Sequence, residues 1–429
     1  MTELKPTKLI SSSSNVVIMT IIALIWLTLQ VNGFSLLFAA FVAILWVEFF
    51  MSRFLLKNLT VKRKIQRNRA FIDQKIKIDY TIHNKSPIKL IVWFLPMVES
   101  ASSASKIRKK KLILKPREEA KISSHIYFGK RGIKDVSKCL LSYPDPLGFF
   151  KHWITYEAPE EILVLPSLME FENFPLRLRE LLPGLKSDFK LMEDMTYMKG
   201  IREYSGDPLN KIHWKISAKM NSLYVKEFNY TAISRTHLYL DLNLSKEVFA
   251  RDVWGRIREF YEEQAILAAS SLIHWSAKIG HKIDLTVVGK KVLRSTGSFS
   301  NDWVKTVELL AISEGTNTGP ELSDVLSMDI EKLTPATTVV LFSMYLTDSI
   351  LPVMLKARAR CSRVIVILMP YGFRDPRYKP ARSYELLPVD MRDLKEKAAA
   401  LEEEQIIVRI LRDNQSLQEV VMEIEERNI

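Results

Sequence analysis

A chain of 429 residues, 47% hydrophobic, is too long for one ordinary domain and too apolar to be a disordered tail. Its formal net charge of +13 is unevenly placed: residues 1–150 hold 25 Lys/Arg against 9 Asp/Glu, and the remainder hold 37 against 40. A basic third beside an apolar segment points to anionic lipid. A nucleic-acid partner is set aside, because the C-terminal part has neither a basic surplus nor a recognisable nucleic-acid motif.

The first elements are two apolar stretches, residues 14–31 and 34–51. Each is about 18 residues, near the lower limit for a helix crossing a hydrocarbon core of ~30 Å. Asn32-Gly33 between them suits a tight turn, and Trp26 and Trp46 suit an interfacial setting. A cleaved leader would need an apolar region of only about 7–15 residues. Lys5 and Lys8 precede the pair, Arg53, Lys57, Lys62, Arg63 and Lys64 follow it, and the turn is uncharged. The positive-inside rule then places both flanks in the cytoplasm. Glu48, one turn from the exit, reads as a snorkelling or paired residue rather than part of an ion path. Residues 1–58 are therefore predicted as a transmembrane helical hairpin of a two-pass cell-membrane protein.

Residues 59–166 change to short alternating runs, such as 75–82 (KIKIDYTI), punctuated by Pro, Gly, Asn and Asp. The expectation is an all-β, Ig-like sandwich. Lys109, Lys110 and Lys111 form a basic cluster that is either lipid-facing or simply solvated. Cys139 and Cys361 lie in apolar runs with no metal or disulfide spacing, which fits buried thiols in a reducing compartment.

Residues 167–231 hold a dense polar and aromatic segment that reads as a linker. Residues 232–429 alternate apolar strands (237–242, 282–288, 338–345, 363–369, 406–411) with helices near 256–279, 302–312, 349–360, 389–405 and 415–427. That alternation predicts a doubly wound α/β domain with a parallel sheet covered on both faces and its function at the C-terminal strand ends.

The segment 200–227, GIREYSGDPLNKIHWKISAKMNSLYVKE, resembles the signature of the bacterial "domain of unknown function 58" family. The match is carried by Arg202, Tyr204, Gly206, Asp207, Lys211, Ile212, Trp214, Ser217, Ala218, Lys219, Leu223, Val225, Lys226 and Glu227. Asn210 departs from it, since a basic residue is usual there. Arg131-Gly132 and residues 145–149 (DPLGF) resemble further family elements. The resemblance implies a von Willebrand factor A-like C-terminal domain. It also implies work beside a MoxR-type AAA+ ATPase, and a transglutaminase-like membrane protein is a further partner to consider. Domains of the von Willebrand type hold a divalent metal through D-x-S-x-S, a loop Thr and a later Asp. Here the counterparts are Asp241, Asn243 and Ser245, with Thr316 or Thr318 for the threonine, so Mg²⁺ is the cation such a degenerate site would take. Asn243 replaces a Ser, and Met344 stands where the later acid is expected, with Asp348 several residues late. The other reading is that Asp241 caps or orients its loop without metal or any other cofactor.

No H-E-x-x-H, G-x-S-x-G or G-x-x-x-x-G-K-[ST] motif occurs, and no nucleophile–base set stands out. The expectation is a non-enzymatic, cytoplasm-facing adaptor or scaffold concerned with assembly or maturation of envelope proteins. In it Arg202, Asp207, Lys226 and Glu227 either staple the segment or dock a partner. The alternatives are an enzyme using His213 and Asp207 as an acid/base pair, and a purely structural membrane scaffold.

Overall fold

A computed structural model describes residues 2–29, 31–98, 105, 107–144, 149–169, 193–206, 211–230, 235–244, 251–278, 282–296, 303–335, 337–370 and 390–411. The chain divides into two compact units, Met1–Leu165 and Pro166–Ile429.

The first unit is β-rich and carries the apolar helices as an insertion near its N-terminus. Its elements are β1 (Thr2–Ser12), α1 (Ser14–Leu29), α2 (Gly33–Lys57), β2 (Leu59–Ile65), β3 (Arg69–Phe71), β4 (Ile76–Asn84), β5 (Leu90–Met97), β6 (Lys110–Leu114), β7 (Glu119–Ile126), β8 (Gly132–Asp135), β9 (Lys138–Pro144), β10 (Lys151–Glu157) and β11 (Glu161–Leu165). Eight strands form one sheet in the order β6-β5-β9-β10-β1-β2-β4-β7. Tyr80 on β4 meets Phe94 on β5 at a ring separation of 4.8 Å, although four strands lie between them in that order. The sheet therefore folds over on itself around a shared apolar core. At its edges the Lys110 ammonium donates to the Ser123 carbonyl (2.9 Å), placing a charge where strand edges are otherwise open.

The sequence reading treats residues 1–58 as a hairpin with Lys5 and Lys8 as flanking charges. The structure corrects this: Thr2–Ser12 is an internal strand. Thr2, Glu3 and Leu4 pair with Arg63, Lys62 and Val61 of β2. After a bulge at Pro6/Lys8, residues to Ser12 pair with β10. Pro6, which cannot donate to a ladder, sits at that irregularity. Only Leu4 of the strand is fully buried, so the alternation that marks a strand in sequence is almost absent.

Arg63 also moves from flank charge to core. It is fully buried, donates to the Ala158 carbonyl (3.0 Å) and the Val136 carbonyl, and pairs with Glu160 (2.7 Å). Cys139 is buried, and burial pushes its thiol up to about 12, as an inert core cysteine requires.

The two helices pack against each other, with the Trp46 indole donating to Thr20 Oγ1 (2.9 Å). Asn32 caps α2: its side chain accepts from the Ser35 amide (2.8 Å), while Ser35 Oγ accepts from the Asn32 amide (3.1 Å). Past Arg53 the helix continues to Lys57 and buries Leu55 and Leu56 in the β-rich core. Elsewhere both helices expose large apolar side chains, among them Ile18, Ile21, Leu24, Leu29, Phe34, Leu37, Ile44 and Phe50. Helix α2 is long and apolar enough to cross a membrane; α1 is shorter.

The second unit comprises β12 (Glu193–Glu203), α3 (Trp214–Met220), β13 (Tyr224–Tyr230), β14 (Arg235–Asp241), α4 (Arg251–Lys278), β15 (Lys282–Val288), β16 (Val292–Ser295), α5 (Trp303–Ile312), α6 (Leu322–Asp329), β17 (Thr337–Ser343), α7 (Ile350–Arg360), β18 (Arg363–Leu368), α8 (Met391–Glu403) and β19 (Ile407–Ile410). Six strands form a sheet in the order β16-β15-β14-β17-β18-β19, parallel except for the β15–β16 hairpin. Every residue of β17 is buried, so both faces of the sheet are covered there. Helix α6 was not anticipated; its eight residues are too few to establish a helical period in sequence. The helix expected near 415–427 lies outside the described residues.

Candidate functional site

Two arrangements hold the residues that the sequence singles out. The first is the signature segment. Strands β12 and β13 pair antiparallel, with Gly200 opposite Glu227, Ile201 opposite Lys226 and Arg202 opposite Val225. Between them Ile212 bridges to Val225, and His213 donates its amide to the Tyr224 carbonyl (2.8 Å) before leading into α3. Ser217 is the buried fastening of this turn: its Oγ accepts from the Tyr224 amide (2.8 Å). Asn221 ends the helix in the left-handed region (φ 56°). Gly206, with φ of +91°, takes a backbone conformation that a side chain would strain.

The polar network expected here is only partly visible. Arg202 turns to its own loop, donating to Ser205 Oγ (2.8 Å) and the Glu203 carbonyl (3.3 Å). Lys211, His213 and Lys226 are half-buried. Asp207 and the Glu227 side chain lie outside what the structure describes, so the acid/base pair of His213 and Asp207 does too. The segment also presents large apolar side chains beside its exposed charges: Trp214 is 64% exposed, Met220 57% and Leu223 45%, with Tyr204, Arg202, Lys215 and Lys219 also exposed.

The second arrangement lies at the C-terminal ends of β14 and β17. The chain leaves β14 for β15 on one side, and β17 lies on the other, so these ends flank a topological switch point. A cleft of about 310 Å³ opens there, lined by Asp241, Asn243, Thr318, Glu321, Asp324 and Ser343 among others.

Asp241 ends β14 with its carboxylate buried. One oxygen accepts from the Asn243 amide (3.2 Å) and the other from Ser343 Oγ (3.0 Å). Burial pushes its carboxyl up to about 7, against the opposing pull of those two bonds, and the Glu321 charge adds to the rise. Asn243 ties three loops together: its side-chain amide donates to the Gly289 carbonyl (3.1 Å) and the Pro320 carbonyl (2.9 Å), and its oxygen accepts from the Thr316 amide (2.9 Å). Glu262 on α4 accepts from the Gly315 amide (3.0 Å) and pairs with Arg258, which in turn donates to Asn317 Oδ1 (3.0 Å). Gly315 approaches the Leu242 carbonyl so closely that a Cβ would collide with it.

The metal set expected from sequence assembles only in part. Asp241, Asn243, Thr316 and Thr318 do converge, but the Asn243 oxygen that would face a cation is occupied by the Thr316 amide. Thr316 Oγ1 lies 3.4 Å from Thr318 Oγ1. Ser245 lies outside the described residues. Asp348 pairs with Lys397 (2.7 Å) instead of entering the cleft. Among the described residues no group of three or more His, Cys, Asp or Glu side chains has a metal-binding arrangement. These residues fit a divalent cation poorly, because their oxygens already hold the loops. The acids that do line the cleft, Glu321 and Asp324, were missed in sequence because they belong to the unanticipated α6 and its N-cap.

Residues 200–377 match the family model described as protein of unknown function DUF58. Over that segment the chain is similar to DUF58. The segment takes in both the signature ribbon from Gly200 and the cleft at the switch point. No curated protein matches the chain. Among solved structures, an aerotolerance-related membrane protein from Bacteroides fragilis is 14% identical, covering 45% of this chain and 99% of its own, with a TM-score of 0.28. The conserved hypothetical protein BatB from Bacteroides thetaiotaomicron is 13% identical, covering 46% and 98%, with a TM-score of 0.29. At that level of overlap neither transfers a role to this chain.

Proposed function

We propose that this chain is a two-pass membrane protein whose two units face the cytoplasm and serve as an adaptor for an AAA+ ATPase of the MoxR type, in assembly or maturation of envelope proteins. The observation that carries the membrane reading is the pairing of β1 with β2. Both ends of the apolar hairpin feed strands of one sheet, so both ends lie on one side of any bilayer the hairpin crosses. Lys5, Lys8, Lys57, Lys62 and Lys64 on those ends make that side the cytoplasm by the positive-inside rule. The exposed apolar belt of the two helices is larger than a water-soluble monomer tolerates. Residues 33–52 rise about 30 Å, the thickness of a hydrocarbon core of ~30 Å.

In finer terms, the β-rich unit is read as Ig-like and the α/β unit as von Willebrand factor A-like, a platform for binding. A binding role is favoured over catalysis because the polar groups at the switch point are spent on internal hydrogen bonds. The same bonding supports a cleft that works without a metal. The ATPase partner follows from the family resemblance. The exposed Trp214, Met220 and Leu223 supply the large apolar anchors on which docking energy concentrates.

The test is recovery of the tagged full-length protein from membranes, in detergent, with Trp214→Ala beside wild type. The wild type should bring an AAA+ ATPase with it, and the variant should lose most of it while melting at an unchanged temperature. A wild type that retains no such ATPase, or a variant that retains all of it, refutes the adaptor reading.

A further inference from the structure

The rim of the β-rich unit that adjoins the hairpin is aromatic. Phe150, just before β10, is buried against Phe49 of α2 at a ring separation of 5.5 Å, edge to face. Tyr143 on β9 stacks on Phe150 (6.5 Å, 8° between planes). Phe149 reaches further along the helix and meets Phe41 edge-on at 6.2 Å. Val16, Leu45, Phe49 and Phe150 form a buried cluster with Met19, Trp46, Tyr143 and Phe149 packed around it. This cluster adjoins the main core of the unit through Tyr143, which packs against both.

The heights of these contacts on α2 decide what surrounds them. Arg53 donates to Ser11 Oγ at the end of β1 (3.5 Å) and is the natural aqueous limit of the helix. Phe49 lies about 6 Å beyond Arg53 along the axis, and Phe41 about 18 Å beyond it. If the bilayer began only past Phe41, residues 33–41 would remain to cross it, a rise of about 13 Å against the ~30 Å needed. A hairpin that crosses must therefore carry the Phe149 contact inside the apolar layer. The chemistry of the rim agrees, since Phe149-Phe150 is followed at once by the exposed Lys151, an aromatic pair backed by a cation of the kind that settles at anionic headgroups.

We infer that Phe149, seated on the buried Phe150, enters the lipid beside α2, as a third membrane-contacting element in addition to the two helices. The β-rich unit is then seated in the bilayer surface rather than suspended above it. This rests on the two-pass reading, and the experiment separates the two.

The full-length protein, with Cys139 and Cys361 replaced by serine, is reconstituted in phosphatidylcholine vesicles containing phosphatidylglycerol. It carries one nitroxide at Phe149→Cys, at Ile44→Cys on the exposed face of α2, or at Ile113→Cys on β6. Collisions with oxygen report lipid, and collisions with a nickel chelate report water. Position 149 should lose nickel collisions relative to 113 and resemble 44. Protection at 44 with full nickel access at 149 overturns the inference and leaves the anchor standing. Nickel access at both 44 and 149 overturns both. Should a label at 149 be silent to both reagents, a photoreactive phenylalanine analogue there decides: a lipid adduct supports the inference and its absence overturns it.

Discussion

Leu4 lies opposite Val61 in the β1–β2 ladder, and both side chains are buried in one core although 56 residues and the whole apolar hairpin separate them. The helices are thus an insertion into a β domain and not an appendage to it. Truncating Leu4 to Ala should cost about 3 kcal/mol, the usual price of a core cavity. Ile10→Ala, on the same strand but 45% exposed, should stay within about 0.5 kcal/mol. Thermal melts of the full-length protein in detergent distinguish the two.

Arg63 is a fully buried cation whose partner Glu160 is only partly covered, so the two ends of the pair are not equivalent. Glu160→Gln should destabilise by about 3 kcal/mol, because it leaves the guanidinium buried without a counter-charge. Adding Arg63→Met to it should cost less than the sum of the two single changes, since the uncompensated charge goes with it. Denaturant unfolding of the four proteins of the cycle measures this.

Asn243 holds the loops after β15 and α5 to the end of β14, and Gly315 lets one of them close. Asn243→Ala should cost about 3 kcal/mol, as several buried groups lose partners together. Gly315→Ala should be comparably harmful through its collision with the Leu242 carbonyl. If the cluster works without metal, millimolar Mg²⁺ should leave the melting temperature of the wild type unchanged.

His237 on β14 stacks on Tyr239 at 4.4 Å and hydrogen-bonds Thr286 Oγ1 (3.1 Å). Burial lowers its pKa below 6.5, against the opposing pull of the Asp284 and Asp329 charges and with a smaller push from Arg294 and Lys332. A depressed histidine binds its proton more weakly folded than unfolded. Its contribution is therefore intact above pH 6.5 and is lost as pH falls through the folded value. His237→Gln should flatten the loss of stability below pH 6.5, read from melting temperatures across an acid series.

The parallel strands β14, β17 and β18 were legible because their apolar runs are buried on both faces, which leaves a continuous hydrophobic signal. The signature segment was legible as a motif, and its place between β12 and β13 was not, since its pairing depends on register across a loop. Asn243 is marked in sequence by its place in the degenerate D-x-S-x-S pattern, but its bonding partners are not. Its position in the chain says that an amide faces the switch point, and only the neighbouring loops decide that the amide is consumed by Gly289, Thr316 and Pro320.

By itself the sequence determined the two apolar segments, the change from β-rich to α/β halves and the motif of residues 200–227, because each is written in local composition or period. The tertiary structure alone decided that residues 2–12 belong inside the sheet, that Arg63 is core, and that Phe149 rides along α2. Those facts depend on backbone ladders and side-chain contacts between segments from about 50 to 150 residues apart, and no local pattern encodes a partner at that distance.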